Sequence, residues 1–232
     1  MTPQEERRNK MASYFTAENL AGEPKIHNSP SGKYRLVVST YKTKEGCWNY
    51  TRGEVFDGKK LVADVKRNYT TFQYAWAEGH PNGHSYLLCG EDYQGQTVVE
   101  LDTGKRADSG ATEDTTKGFG FCWAVVHPSP DKKVLAVDGC YWGGPYEVVL
   151  FDFREPLKLP YPELGRWDEV EEFDTWESNG TLRLVRIRDI RKSDGKLIDD
   201  LPEEEIPKLD ADWGELRVTK LWTPDCLKEL QP

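Results

Sequence analysis

No stretch of this 232-residue chain holds the roughly 20 consecutive apolar residues that a membrane-spanning helix needs. The first residues, MTPQEERRNKMASYF, contain no apolar h-region. The expectation is a cytoplasmic chain with no signal peptide and no membrane partner. Basic residues are outnumbered: 31 Lys and Arg stand against 40 Asp and Glu, a net charge of −9. Binding a phosphate backbone takes a basic face, so no nucleic-acid partner is expected. The five cysteines (Cys47, Cys89, Cys122, Cys140, Cys226) form no CxxC pair and leave an odd one over. That spacing fits free thiols in a reducing compartment better than a disulfide framework. No G-x-S-x-G is present, and Gly118-Phe-Gly120 and Gly143-Gly144 lack the strand-to-helix context of a phosphate-binding loop. No cofactor is expected. Asn49, Asn68 and Asn179 open N-x-T triplets, which in a chain without a secretory signal are read as chance.

What the chain does have is a period. Trp76, Trp123, Trp176 and Trp222 follow one another at 47, 53 and 46 residues. Around them recur an aromatic-rich strand, a turn on Pro, Gly or Asp, a β-branched strand, and a further strand ending in an acidic turn. The first unit holds Ser29-Pro-Ser-Gly-Lys33, Tyr34-Arg-Leu-Val-Val-Ser-Thr40 and Glu54-Val-Phe-Asp-Gly-Lys59; the third holds Pro128-Ser-Pro-Asp131, Val134-Leu-Ala-Val137 and Tyr146-Glu-Val-Val-Leu-Phe-Asp152. Apolar runs of four to eight residues between turn residues are the strand pattern. Such a period is what four-stranded propeller blades produce. Residues 1–23 are polar and are expected as a tail or one short helix over Ala12–Leu20. Residues 24–232 are expected as one all-β, propeller-like array of about four antiparallel blades. Leu157–Gly165 reads as a Pro-rich connector and Pro202–Pro207 as an acidic loop. The last strand, Leu216–Trp222, either supplies the strand missing before Ser29 and closes a ring or ends an open array; the sequence reads the same for both.

The stretches Ser29-Pro-Ser-Gly-Lys-Tyr-Arg-Leu-Val-Val38 and Pro128-Ser-Pro-Asp-Lys-Lys-Val-Leu-Ala-Val137 resemble the turn-strand of WD40-like and TolB-like β-propellers. Glu100-Leu-Asp-Thr-Gly-Lys105 and Leu150-Phe-Asp152 resemble the strand that follows it. The likeness covers roughly residues 24 to 200 and implies a fold, not a function, because propellers host enzymes, receptors and scaffolds alike. The Gly-His opening and Trp-Asp closing pairs of WD40 repeats proper are absent.

Two loops at corresponding places carry Cys, Trp and Tyr between glycines: Gly46-Cys-Trp-Asn-Tyr50 and Asp138-Gly-Cys-Tyr-Trp-Gly-Gly-Pro-Tyr146. The second unit has Asp92-Tyr-Gln-Gly95 there. Aromatic side chains on loops of a rigid scaffold make good contact surfaces. The candidate binding residues are therefore Trp48, Tyr50, Asp92, Tyr93, Asp138, Tyr141, Trp142 and Tyr146. The expected function is a binding module that holds a protein or peptide partner. The alternative is a hydrolase or lyase acting on a carbohydrate-like or small polar ligand through carboxylates such as Glu91, Asp92, Asp138 and Glu147. His27, His80, His84 and His127 sit near equivalent turns, which need not converge. No metal site and no catalytic residue is assigned.

Overall fold

The computed structural model describes residues 3–110, 121–141, 144–168 and 172–223. Strands alternating apolar and polar side chains fold into four antiparallel sheets, each a meander in chain order. The first sheet is β1 (Lys25–Asn28), β2 (Tyr34–Tyr41), β3 (Tyr50–Asp57) and β4 (Lys60–Arg67). The second is β5 (Ala75–Ala77), β6 (Tyr86–Cys89), β7 (Gln96–Glu100) and β8 (Arg106–Ser109). The third is β9 (Phe121–Pro128), β10 (Val134–Tyr141), β11 (Tyr146–Asp152) and β12 (Glu163–Asp168). The fourth has three strands, β13 (Glu172–Trp176), β14 (Leu182–Arg191) and β15 (Trp213–Trp222). Among the described residues the protein is all-β apart from one helix, α1 (Pro3–Ala12), and short 3-10 turns.

Successive side chains of a strand point to opposite faces, and the middle sheets use both. Leu87, Cys89, Val99 and Leu101 of the second sheet pack on Tyr34, Leu36, Val55 and Val65 of the first. Their neighbours Tyr86, Leu88 and Val98 pack on Leu135, Val137 and Val149 of the third. The third sheet then turns Val134, Ala136, Val148 and Leu150 against Leu182 and Leu184 of the fourth. Full burial of each such side chain stabilises the fold by about 1.5–3 kcal/mol. Among the described residues, each buried cluster joins consecutive sheets and none joins the fourth to the first.

The tryptophan period follows from this stacking. Trp76, Trp123 and Trp176 lie on β5, β9 and β13, the first strands of their sheets. Trp76 packs on the cluster shared with the first sheet, Trp123 on that shared by the second and third, and Trp176 on that shared by the third and fourth. Each fills the seam toward the preceding sheet. Trp222 breaks the series: it pairs with Leu182, which in turn pairs with Trp176, so it belongs to the fourth sheet already begun.

Several expectations are corrected here. β15 pairs with β14 along ten residues, and the place before Ser29 is filled by Lys25–Asn28 of β1. The last strand therefore does not complete the first sheet. The helix lies at Pro3–Ala12 rather than Ala12–Leu20. Pro3 suits a first helical turn, and Glu5 and Glu6 near the start with Lys10 near the end complement the helix dipole. Of the expected helix, only a 3-10 turn at Ala17–Asn19 forms after Ala12. The stretch read as a connector runs into the start of β12, bonded to β11 from Glu163 onward.

Candidate functional site

In a meander, alternate connections fall at opposite ends of the sheet. One end, here the upper one, carries the β2–β3, β6–β7 and β10–β11 connections, which hold the sequence-predicted aromatic loops. Trp48 stands 57 % exposed, with its indole N–H donating to the Asn68 carbonyl at 2.7 Å and Thr43 Oγ1 donating to the Trp48 carbonyl at 2.7 Å. Its ring meets Tyr69 edge-on at 5.8 Å, and Tyr69 meets Tyr93 at 5.0 Å. Burial, then the neighbouring Tyr146 hydroxyl, the Cys140 and Cys122 thiols and Tyr69, push the Tyr93 phenol up to about 12. Tyr146 is 51 % exposed at the start of β11. An aromatic row thus crosses three sheets, from Trp48 through Tyr69 and Tyr93 to the neighbourhood of Tyr146.

Other predicted residues do different work. Tyr50 opens β3 and is packed by Tyr14 at 5.2 Å and Phe15 at 6.1 Å, so the segment after α1 covers it. Tyr141 is the last residue of β10; Arg166 lies 4.9 Å over its ring and donates to its hydroxyl at 2.7 Å. Asp138 is not a loop residue: β10 runs from Val134 to Tyr141, pairing Asp138 with Val125 and Val148. Gly139 permits this, because a Cβ there would stand 2.1 Å from the Cys122 carbonyl oxygen. Trp142 lies outside the described residues.

The carboxylates beside the row are occupied. Asp92 Oδ1 accepts the backbone N–H of Gln94 at 2.9 Å and that of Gly95, which holds the β6–β7 turn, while Oδ2 faces Arg7 at 3.3 Å. Glu91 is buried between Arg8, at 2.9 Å, and Arg106. Asp108 takes Arg8 Nη2 at 2.7 Å and Arg106 Nη2 at 2.7 Å. Burial pushes the Asp108 carboxyl up; hydrogen bonds and charge from Arg106, with Thr97 and Arg8, outweigh it and hold the group below the ordinary aspartate range. Beneath, Arg67 is buried, its Nη1 donating to the carbonyls of Gly90 at 2.8 Å and Asp92 at 2.9 Å; burial draws its pKa down. Glu147 accepts Arg166 Nη1 at 2.7 Å.

The cavities lined by Tyr93 and by Glu91 with Asp92 measure about 20 and 10 Å³, space for about one water molecule. Among the described residues, no group of three or more His, Cys, Asp or Glu side chains is placed to hold a metal ion. His80 is buried: its Nδ1 accepts from Asn82 N at 3.2 Å, leaving Nε2 to donate to the Phe153 carbonyl at 3.0 Å, a structural role. Cys89, Cys122 and Cys140 are buried free thiols and Cys47 an exposed one.

Sequence reasoning missed Tyr69, hidden in the polar stretch Asn68–Thr71, and the pair Arg7 and Arg8. A signal for the arginines existed in their adjacency within an otherwise polar helix. No protein-family model matches the chain. Over 206 residues it is 35 % identical to a protein of Acanthamoeba polyphaga mimivirus described as "Uncharacterized protein R762", covering 84 % of this chain and 80 % of the relative.

Proposed function

The chain belongs to the family of this mimivirus protein, and we propose that it is a propeller-like binding module whose upper aromatic loops hold a protein or peptide partner. The propeller reading rests on four consecutive meander sheets stacked face to face, each later one opening on a strand that carries a seam-filling tryptophan. The Ser-Pro turns before β2 and β10, which resemble those of WD40-like and TolB-like repeats, support it further.

The observation that carries the binding reading is the row of Trp48, Tyr69 and Tyr93 with exposed Tyr146; among the described residues the cavity that Tyr93 lines is only about 20 Å³. Rigid aromatic rings bury large area at low entropic cost, which is what a partner surface requires. Acid–base chemistry by the neighbouring carboxylates is disfavoured because Glu91, Asp92 and Glu147 are each committed to arginine.

The test is affinity capture by the full chain, compared with a Trp48→Ala/Tyr146→Ala double variant. Both side chains are more than half exposed, so the melting temperature should move by no more than about 4 °C, equivalent to about 1 kcal/mol. Partners retained by the wild type should be lost from the variant. Identical captured sets at equal stability would refute the reading.

A further inference from the structure

The lower end of the molecule repeats one arrangement and leaves its last copy open. In the first turn, Ser29 N donates to the Tyr34 carbonyl at 2.8 Å and Tyr34 N to Ser29 Oγ at 3.2 Å. In the third, Ser129 N donates to the Val134 carbonyl at 2.8 Å and Val134 N to Ser129 Oγ at 3.0 Å. The backbones match so closely that Lys132, at φ +59°, takes the position that Gly32, at φ +75°, holds in the first.

What the turns do next differs. The first is tied to the second sheet: Ser31 donates to Glu78 at 2.7 and 2.8 Å, and Lys33 and the Tyr34 hydroxyl reach Asp102 at 3.2 and 2.9 Å. The second is tied to the third sheet through His80 and the Phe153 carbonyl. In the third turn Asp131 instead accepts from Ser129 Oγ at 2.8 Å and the Lys133 backbone N–H at 3.1 Å, with Lys133 Nζ 3.5 Å away. Among the described residues neither Asp131 nor Lys133 is bonded to the fourth sheet, and a cleft of about 540 Å³ stands between the third sheet and the fourth.

Its floor is aromatic and aliphatic, with Trp176 and Trp222 edge-to-face at 5.8 Å beside Val134 and Leu164. Trp222 is 3 % exposed, and among the described residues its indole N–H meets no acceptor. A buried polar group without a partner is uncommon in a folded protein. The rim charges cancel in pairs: Asp131 with Lys133, and Asp152 with Arg154 at 2.5 Å. Ser178 and Asn179 complete the rim.

We propose that this cleft is a carbohydrate site that takes a neutral pyranose. The volume falls in the range of small-molecule sites. An aromatic floor suits the apolar face of a sugar ring. A rim offering donors and acceptors side by side suits hydroxyl groups, each of which is both. With its charges balanced the rim offers no net attraction to an ionic ligand, and a purely aliphatic one would strand the rim's polar groups. The site is at the opposite end from the aromatic row, so it stands or falls separately from the partner-binding reading.

The experiment is a titration of the ¹⁵N-labelled full chain with glucose, galactose, mannose, N-acetylglucosamine, maltose and cellobiose, with glucuronate as the charged control. At least one neutral sugar should shift the amides of residues 131–133 and 178–180 saturably and leave those of 46–50 in place. Trp176→Ala should weaken binding at least tenfold. If that variant folds poorly, the exposed rim change Ser178→Ala should still weaken it about threefold, the loss of one hydrogen bond. No saturable shift with any neutral sugar, tighter binding of glucuronate, or affinity untouched by these variants would overturn the proposal.

Discussion

A carboxylate can be placed by the strand that carries it rather than by the reaction it performs. Asp138 is half-buried in mid-strand, and burial pushes its carboxyl above the ordinary aspartate value. A raised acid favours the folded state while protonated; that contribution is present below the ordinary value, roughly 4, and is lost as pH rises through the raised one. Asp138→Asn should therefore raise stability to urea at pH 7, with the advantage shrinking toward pH 4. An advantage of equal size at both pH values would show that ionisation is not its source. In the sequence, Asp138-Gly139 looks like the start of a turn, and only the close approach of the Cys122 carbonyl shows that Gly139 serves a strand. Trp48 and Tyr146 stand more than half exposed where the sequence sets aromatics beside glycines and turn residues. Tyr50 and Tyr141 look the same in the sequence. What separates them is packing by Phe15 and Arg166, remote in the chain.

At the scale of elements, α1 is held by charge more than by apolar contact. Met11 is its buried hydrophobic residue, and Arg7 and Arg8 reach Asp92, Glu91 and Asp108. Exposed or half-exposed pairs contribute about 0–1 kcal/mol each and are screened by salt. Arg8→Ala, or high salt on the wild type, should speed amide hydrogen exchange in residues 7–11 and leave the melting temperature of the sheets nearly unchanged. Acid should act in the same direction. The Asp108 carboxyl is held below its ordinary value, so its contribution is present above roughly pH 4 and is lost as pH falls through the depressed value. Exchange in 7–11 that ignores Arg8→Ala, salt and acid alike would show that Met11 and its neighbours hold the helix. The turn-and-strand units were readable because Ser-Pro turns and alternating Val and Leu speak locally. β1 was not, since in Lys25–Asn28 only Ile26 is a strong hydrophobe and it is exposed. β12 was hidden by the prolines before it and by the charged residues of Glu163–Asp168.

Over the whole molecule, the period in tryptophan revealed a stack of similar sheets but not how the stack ends. Trp222 continues the spacing while lying across the fourth sheet from Trp176, because the chain pairs β14 with β15 after the long excursion 192–212. The buried clusters join each sheet to the next, and that makes stability a nearest-neighbour quantity. Among the described residues the second and third sheets are clamped from both sides, the first and fourth from one. Such a stack behaves like a short linear chain of coupled units, in which melting starts at the ends and moves inward. Native-state hydrogen exchange should then be graded: amides of β6, β7, β10 and β11 open only with global unfolding, and those of β14 and β15 at a lower free energy. Uniform protection across all four sheets would mean that one cooperative unit spans the chain. If the gradient is found, a mutation in the fourth sheet will cost little beyond that sheet, whereas one at Leu87 will uncouple the first sheet from the second and one at Leu135 the second from the third.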